Sequence, residues 1–198
     1  MLTFQLSYDY RCPFAKNIHL HVVTALRAGA DFDVEFVPWT MSQGYRLEGA
    51  PDVWDDPERD PDHLALAVSI SIRDQQPELF LAAHEALFRA RHEQGLALKT
   101  WSDIERALSA IPVDLALVEA DLRTRRPHKV LGENFRRFER YEAFGVPTFV
   151  VDDDATFVRY MKEPTADENA STTLVTSLVA LMSTQRDLNE FKHTTVPY

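Results

Sequence analysis

Cys12 is the single cysteine of this 198-residue chain and the residue best suited to nucleophilic chemistry. The residues before it, 2–7, alternate apolar and polar side chains as a half-buried strand does, and Pro13 suits the first turn of a helix. Cys12 is therefore predicted to lie where a strand passes into a helix N-terminus. The free amides and the positive end of the helix dipole at such a position favour a thiolate.

The helix dipole sets the expected size of this activation. It contributes at most about 2 kcal/mol in a partly buried site, and one pKa unit corresponds to about 1.4 kcal/mol. We therefore expect the pKa of the Cys12 thiol to be lowered by about one unit. The backbone amides of Phe14 and Ala15 lie where they could stabilise the thiolate. The alternative interpretation is that Cys12 is a small buried apolar residue without special reactivity.

Two cations, Arg11 and Lys16, flank this stretch. They could attract the carboxylate of a small thiol, or they could be solvated surface charges. Trp39, Met41 and Tyr45 follow the second predicted strand, and we interpret them as core or rim residues in preference to site residues.

The composition is that of a globular protein with an acidic surface. The chain has 31 Asp and Glu against 21 Lys and Arg, a formal net charge of −10, and 45% of its residues are hydrophobic. An acidic surface repels phosphate backbones, so no nucleic-acid partner is expected. No apolar run is long enough to span a membrane and no basic, apolar leader is present, so we expect a cytoplasmic protein. A single cysteine excludes an internal disulfide, which agrees with a reducing compartment.

The seven histidines lack the spacing of a metal site. His19 and His21 are two residues apart on a predicted helix and therefore face different directions. The acidic run at residues 152–154 predicts a turn and lacks the further spaced oxygen ligands of a calcium loop. We expect neither a metal site nor a tightly bound cofactor.

Side-chain periodicity divides the chain into three parts. The first predicts a strand, a helix from Pro13 to a stop at Gly29, and a second, parallel strand at 32–37. Residues 40–61, rich in Gly, Pro and acids, predict a loop. Apolar stripes at helical spacing then predict an all-helical block, which includes a helix start at Pro77, a capping box at residues 102–105 and a last helix that ends near Gly145.

The third part predicts a β-hairpin and a terminal helix. Its strands are predicted at 145–151 and 156–160, with the turn at 152–154. The apolar stripe over residues 174–182 predicts the helix, and Asp167 and Glu168 lie near its start, where acids complement the dipole. The polar tail, 187–198, is predicted to lie along the surface.

This order of elements is similar to that of the DsbA-like branch of the thioredoxin superfamily. Residues 11–15, Arg-Cys-Pro-Phe-Ala, resemble the family's Cys-Pro-x-Cys active site, and residues 145–149, Gly-Val-Pro-Thr-Phe, resemble its cis-proline segment. The resemblance implies an α/β, thioredoxin-like fold with an all-helical insertion. The thioredoxin-like domain would comprise 1–45 and 145–198, and the helical insertion domain 46–144.

The resemblance also implies roles for particular residues. Cys12 would be the catalytic nucleophile, and Pro147 would be cis, so that the Val146 backbone could pair with an extended thiol substrate. Without the resemblance an ordinary trans proline would be preferred, since only about one X-Pro bond in twenty is cis. The implied substrate-binding residues are Pro13, Phe14, Ala15, Val146, Pro147 and Thr148.

The sequence departs from the two-cysteine pattern at Ala15, the position of the second, resolving cysteine. A mixed disulfide on Cys12 has no second thiol in the chain to release it, so an external thiol must do so. The leading hypothesis is therefore a monothiol thiol-disulfide oxidoreductase that acts on a disulfide or electrophilic substrate with a low-molecular-weight thiol cosubstrate. Residues 188–198 resemble the C-terminal tail of the mycothiol-dependent DsbA-like reductases of actinobacteria, so the cosubstrate would be of the mycothiol or glutathione type.

Two alternatives belong to other functional classes. The kappa-class glutathione transferases and the 2-hydroxychromene-2-carboxylate isomerases share this fold but usually carry Ser at the position of Cys12, where the residue holds a substrate thiolate. The second alternative is a non-catalytic, thioredoxin-like binding module with an incidental Cys12. Relatives in the family are often dimers, so a homodimer is a further expectation.

Overall fold

The computed structural model describes residues 1–165, 167–193 and 195. Within these residues the strands are β1 (Leu2–Tyr8), β2 (Phe32–Pro38), β3 (Thr148–Val151) and β4 (Asp154–Phe157). The helices are α1 (Pro13–Arg27), α2 (Asp60–Gln75), α3 (Pro77–His92), α4 (Trp101–Leu108), α5 (Leu115–Arg123), α6 (Arg126–Glu139) and α7 (Glu168–Thr184).

The four strands form one mixed sheet in the order β2-β1-β3-β4. Strand β1 pairs with β2 in parallel and with β3 in antiparallel, and β3 and β4 form a hairpin. This arrangement confirms the predicted α/β, thioredoxin-like fold with its β-α-β beginning and its β-β-α end. Because β1 and β3 are antiparallel neighbours, the chain that follows β1 and the chain that precedes β3 meet at one edge of the sheet.

Helix α1 follows the sequence signals closely. Pro13 occupies its first turn, and the chain leaves the helix through Gly29, whose φ of +85° is the left-handed conformation that glycine adopts at low cost. The predicted start and stop of this helix are therefore confirmed. One face of α1 packs on α7 and another on α3.

The hairpin is tighter than predicted. Val151 pairs directly with Asp154, and Asp152 and Asp153 both have positive φ, of 49° and 61°, as a two-residue turn requires. The return strand therefore begins at Asp154 and ends at Phe157, so its predicted bounds of 156–160 are wrong. The first strand of the hairpin likewise begins at Thr148, three residues after the predicted start.

The helical block contains α2 to α6, and its predicted helix at Pro77 is confirmed. The predicted capping box at residues 102–105 is wrong. The N-cap of α4 is Thr100, whose hydroxyl accepts from the amide of Asp103. Helix α6 ends at Glu139, earlier than predicted, because the chain turns through Glu142 with a φ of 54°.

The loop predicted at 40–61 contains two short 3₁₀ turns, Met41–Tyr45 and Pro57–Arg59. Helix α7 begins at Glu168, with Asp167 as its N-cap, as predicted from these two acidic residues. Of the predicted surface tail, residues 194 and 196–198 lie outside the described residues, and so does part of the stretch that resembles the mycothiol-dependent reductases. The predicted domain boundaries stay a prediction, although the two parts share a buried contact, since the Tyr8 hydroxyl lies 2.8 Å from Ser69 Oγ of α2.

Gly132 marks the closest packing in the helical block. A Cβ added at this helical position would lie 2.7 Å from the indole ring of Trp54, which is buried. We expect Gly132→Ala to lower the free energy of unfolding by about 1–2 kcal/mol, because overpacking outweighs the roughly 1 kcal/mol that alanine contributes in a helix. Urea unfolding followed by fluorescence or circular dichroism measures the difference.

Gly44→Ala is the matched control for this substitution. Nothing lies within 4 Å of a Cβ at Gly44, and its φ is not in the left-handed region. This variant should unfold within about 0.5 kcal/mol of the parent protein. A Gly132→Ala protein more stable than the parent would show that Trp54 has room to move.

Candidate functional site

The site lies at the edge of the sheet where β1 ends and β3 begins. Cys12, between β1 and α1, meets the segment before β3, from which it is separated by 134 residues in sequence. The Cys12 thiol donates a hydrogen bond to the carbonyl oxygen of Val146, with 3.2 Å between Sγ and O. The two motifs quoted from the sequence are thus in direct contact.

Cys12 is the N-cap of α1. Its backbone is extended (φ −91°, ψ 118°), and its Sγ accepts a long hydrogen bond of 3.5 Å from the amide of Ala15. The Cys12 amide donates to the carbonyl of Asp9 and closes a turn after β1. The sulfur therefore faces the free amides of the helix start, as expected for a residue at this junction.

The pKa of the Cys12 thiol is raised, contrary to the lowering expected from the helix dipole. Burial is the largest cause, because desolvation disfavours the thiolate. The amides of Ala15 and Phe14 and the charge of Arg159 lower the pKa, while Asp9 raises it. The expectation of a pKa lowered by about one unit is therefore wrong, since the cost of burying the thiolate exceeds the stabilisation from the amides.

The segment before β3 is held from both sides. The Val146–Pro147 peptide bond is cis. The Thr148 amide donates to the Ser7 hydroxyl at 2.9 Å, and the Thr148 hydroxyl donates to the Gly145 carbonyl at 2.8 Å. These bonds keep the Val146 carbonyl directed at Cys12.

The two cations that flank Cys12 in sequence are paired with carboxylates of the same chain. Arg11 forms a two-pronged contact with the buried carboxylate of Asp9 and also donates to Thr40 Oγ1 at 2.8 Å. Lys16 is buried, and its Nζ lies 2.7 Å from a carboxylate oxygen of Glu163. Their electrostatic role toward a substrate stays a prediction.

The aromatic residues after β2 are spread between core and surface. Trp39 is buried and stacks on Phe135 with ring centroids 5.3 Å apart. Met41 and Tyr45 are exposed. Trp39 is therefore a core residue, in agreement with the preferred interpretation.

A buried chain of hydrogen bonds lies beneath the site. The Tyr10 hydroxyl lies 2.8 Å from His84 Nδ1, His84 Nε2 lies 2.9 Å from His19 Nδ1, and His19 Nε2 lies 3.1 Å from the carbonyl of Ser7. A carbonyl can only accept, so His19 donates from Nε2 and accepts at Nδ1 from His84, which in turn accepts from Tyr10. Every bond is satisfied when both imidazoles are neutral.

This chain of bonds joins the turn before Cys12 to the strand that carries the site. Ser7 also bonds the segment after Pro147 through its hydroxyl, so Tyr10 and Thr148 are linked through one buried network. Sequence reasoning treated His19 only as a non-ligand and His84 only as packing. Their contact spans 65 residues in sequence, and no local pattern could predict it.

Other kinds of site receive no support from the described residues. In residues 1–165, 167–193 and 195, no group of three or more His, Cys, Asp or Glu side chains is arranged to hold a metal ion. In the same part of the chain no helix is both long and apolar enough to cross a bilayer.

Comparison with known proteins agrees with this geometry. The family profile of the DSBA-like thioredoxin domain matches residues 3–163. The chain belongs to this family. A comparison with curated protein sequences finds no match.

Solved structures share the fold of this DSBA-like chain at low sequence identity. The cytosolic disulfide reductase DsbM from Pseudomonas aeruginosa, in a structure with GSH, is 18% identical with a TM-score of 0.60, over 94% of this chain and 100% of that chain. A thioredoxin-like oxidoreductase from Silicibacter pomeroyi is 16% identical with a TM-score of 0.57, over 91% and 86%. The thiol-disulfide oxidoreductase MdbA from Actinomyces oris is 14% identical with a TM-score of 0.59, over 89% and 79%.

Arg159 is the residue of the DSBA-like site that sequence reasoning missed. Its guanidinium lies 4.8 Å from the ring centroid of Phe14, and its charge acts on the Cys12 thiol. It follows the hairpin in the chain, and only the packing of that segment against α1 brings it to the site. The sequence predicted a strand at 156–160 and gave Arg159 no role in the site.

The raised thiol pKa has a direct chemical consequence. We expect the pH midpoint of Cys12 alkylation by iodoacetamide to lie above the roughly 8.5 of a free thiol, because burial disfavours the thiolate. Intact mass counts the adduct at each pH. The same protein unfolded in urea is the control, and its midpoint should be lower; a folded-state midpoint below the unfolded one would contradict the burial argument.

The neutral histidines make stability depend on pH. Burial lowers the pKa of His19 to about 3 in the folded protein, whereas the unfolded value is about 6.5. Below pH 6.5 the unfolded chain binds a proton that the folded chain does not, so the free energy of unfolding falls as pH falls. We expect His19 alone to account for a loss of about 1.6 kcal/mol between pH 6.5 and pH 5, measured by urea unfolding at each pH.

His19→Gln is the variant that isolates this effect. A glutamine amide can donate to Ser7 and accept from His84 but does not titrate. Its unfolding free energy should be lower at pH 7 and should depend on pH less steeply between pH 6.5 and 5. An unchanged slope would assign the acid sensitivity to other groups.

Proposed function

We propose that this protein is a monothiol thiol-disulfide oxidoreductase in which Cys12 is the nucleophile. The observation that carries the proposal is the single thiol at the start of α1, 3.2 Å from the Val146 carbonyl, with Ala15 where a resolving cysteine would stand. Membership of the DSBA-like family supports thiol-disulfide chemistry at a general level.

The reaction consists of two exchanges. The Cys12 thiolate attacks one sulfur of a disulfide RS–SR′, forms the Cys12–S–SR bond and releases R′S⁻, which takes up a proton. An external thiolate R″S⁻ then attacks the sulfur of R, releases RS–SR″ and regenerates the Cys12 thiolate. In each cycle R′ is released as a thiol, the external thiol is oxidised into the new disulfide RS–SR″, and the protein undergoes no net redox change.

The raised pKa of the Cys12 thiol favours reduction over oxidation. A protein that oxidises its clients strongly does so because its reduced, thiolate form is stabilised. Burial has the opposite effect on Cys12, because it destabilises the thiolate relative to a neutral disulfide sulfur. The mixed disulfide on Cys12 is therefore comparatively stable and persists until the external thiol attacks it.

The backbone before β3 supports a docking mode for the substrate. In the resting site the Val146 carbonyl accepts from the Cys12 thiol, and this bond is lost when the thiol is deprotonated or becomes disulfide-bonded. The carbonyl would then accept from an amide of an extended substrate, in the manner of an added strand. Pro13, Phe14, Ala15, Pro147 and Thr148 would line this position.

The cosubstrate in this proposal is a low-molecular-weight thiol of the glutathione or mycothiol type, and no tightly bound cofactor is required. The structure of DsbM with GSH shows that one protein of this fold binds such a thiol. We further propose a cytoplasmic location, since a lone thiol that depends on an external reductant suits a reducing compartment. A homodimer remains an expectation of the family resemblance.

A mass experiment tests the single-thiol mechanism. After exposure to glutathione disulfide, the protein should gain one glutathione on Cys12, and added glutathione should remove it. Cys12→Ser should gain nothing and lose all disulfide reductase activity. Turnover by Cys12→Ser with a thiol cosubstrate and an electrophile would instead indicate the transferase alternative. Failure of Cys12 to form a mixed disulfide with glutathione disulfide would indicate the binding module.

Restoring the missing cysteine extends the same experiment. In Ala15→Cys the second sulfur would follow Cys12 by three residues on the first turn of α1, so it should expel the bound glutathione and leave an internal disulfide. Ala15→Ser is the matched control, because it adds an atom at the same buried position without a thiol. The Ala15→Ser protein should retain the adduct, whereas an adduct that persists equally in both variants would contradict the role assigned to Ala15.

A further inference from the structure

The chain that leaves the hairpin, residues 158–163, runs along α1 and is called the α1 strap here. The Val158 amide donates to the Pro147 carbonyl at 3.1 Å, which continues the hairpin for one more bond. Beyond this point the strap is held by α1. Asn17 Nδ2 donates to the Tyr160 carbonyl at 3.1 Å, and Lys16 Nζ bonds Glu163 at 2.7 Å.

His21 completes the attachment of the α1 strap. Its Nε2 lies 3.3 Å from the Lys162 carbonyl, and its ring meets the Tyr160 ring at 5.1 Å in an edge-on arrangement. The Val158 amide bond precedes Arg159 along the strap, and the contacts of Asn17, Lys16 and His21 follow it. The position of Arg159 is therefore determined by bonds on both sides of it.

These attachments place Arg159 at the N-terminus of α1. Its guanidinium lies over the ring of Phe14, 4.8 Å from the ring centroid. Phe14 is two residues from Cys12 in the sequence. The arrangement is a cation–π contact, in which the aromatic face orients the cation and leaves its N–H groups available. Arg159 is exposed, so these groups are accessible to solvent.

Arg159 differs in one respect from the other cations of the site. Arg11 is paired with Asp9, and Lys16 with Glu163. Within the part of the chain that the structure describes, Arg159 has no carboxylate within salt-bridge distance and no hydrogen-bond acceptor. Among the described residues the site thus holds a planar, two-pronged donor without an anionic partner.

The charge of the whole protein makes this cation significant. The net charge is −10, so an anionic substrate is repelled at long range and needs a local positive group to approach the thiol. A guanidinium binds a carboxylate through two parallel N–H···O bonds, which orients the ligand as well as attracting it. Such a group beside the reactive sulfur would distinguish disulfides by charge.

We propose that Arg159, held over Phe14 by the α1 strap, is the binding subsite for a carboxylate of the disulfide substrate. The protein then reacts faster with anionic, carboxylate-bearing disulfides than with neutral or cationic ones. This inference rests on the proposed function and names its substrate class. The effect of Arg159 on the Cys12 thiol agrees with a position close to the reacting sulfur.

The test compares three disulfides that differ in charge. The rate of mixed-disulfide formation on Cys12 is measured by intact mass with glutathione disulfide (anionic), bis(2-hydroxyethyl) disulfide (neutral) and cystamine (cationic). The readout is the ratio of the glutathione disulfide rate to the neutral rate, because any change in the pKa of the Cys12 thiol cancels in this ratio. In Arg159→Met, which keeps an apolar stem on Phe14, the ratio should fall about fivefold, the size expected for one exposed charge pair.

Lys162→Met is the matched control. It removes one positive charge from the same strap at a residue whose carbonyl, not its side chain, makes the contact with α1. Its ratio should stay within about twofold of the parent, whereas Arg159→Lys should retain part of the preference but not all of it, because an ammonium lacks the two-pronged geometry.

The outcomes separate the two proposals. An unchanged ratio in Arg159→Met, with all three disulfides still reacting at Cys12, overturns the subsite and leaves the oxidoreductase proposal intact. An equal loss in Lys162→Met assigns the effect to general charge and also overturns the subsite. Failure of the parent to form a mixed disulfide with any of the three overturns the proposed function and the subsite together.

Discussion

The contact between the Cys12 thiol and the Val146 carbonyl brings the two halves of the site together. It exists because β1 and β3 are antiparallel neighbours in the sheet, so that the chain after β1 and the chain before β3 emerge at the same edge. Nearly everything else at the site supports that meeting. Ser7 bonds the Thr148 amide on one side, and the buried Tyr10–His84–His19 chain bonds the Ser7 carbonyl on the other.

Burial at this contact determines the character of the thiol. A helix N-terminus favours a thiolate, but desolvation of Cys12 raises its pKa by more than the amides of Phe14 and Ala15 lower it. The sulfur is thus kept neutral at rest and donates to Val146. In the proposed function such a thiol would form a comparatively stable mixed disulfide, which a second molecule would resolve to finish the cycle.

The charges around the thiol form two groups with different roles. Arg11 and Lys16, the neighbours in sequence, are used to hold the turn before Cys12 and the strap after β4. Arg159, distant in sequence, arrives at the site through that strap and keeps its charge available. The hydrogen bonds that hold the strap against α1 therefore also position the guanidinium of Arg159.

The sequence by itself determined the features that depend on neighbouring residues. Periodicity and the Pro13 and Gly29 signals predicted α1, alternation predicted β1 and β2, and the absence of a second cysteine excluded internal resolution of a disulfide. Strand and helix ends were less well predicted, as at β4 and α4, because turn conformation and capping depend on individual hydrogen bonds. Only the tertiary structure decided the raised pKa of the Cys12 thiol and the pairing of Arg11 with Asp9 and of Lys16 with Glu163. It also decided the neutral histidine pair and the position of Arg159. Each of these depends on burial or on contacts between residues far apart in the chain, which no local pattern records.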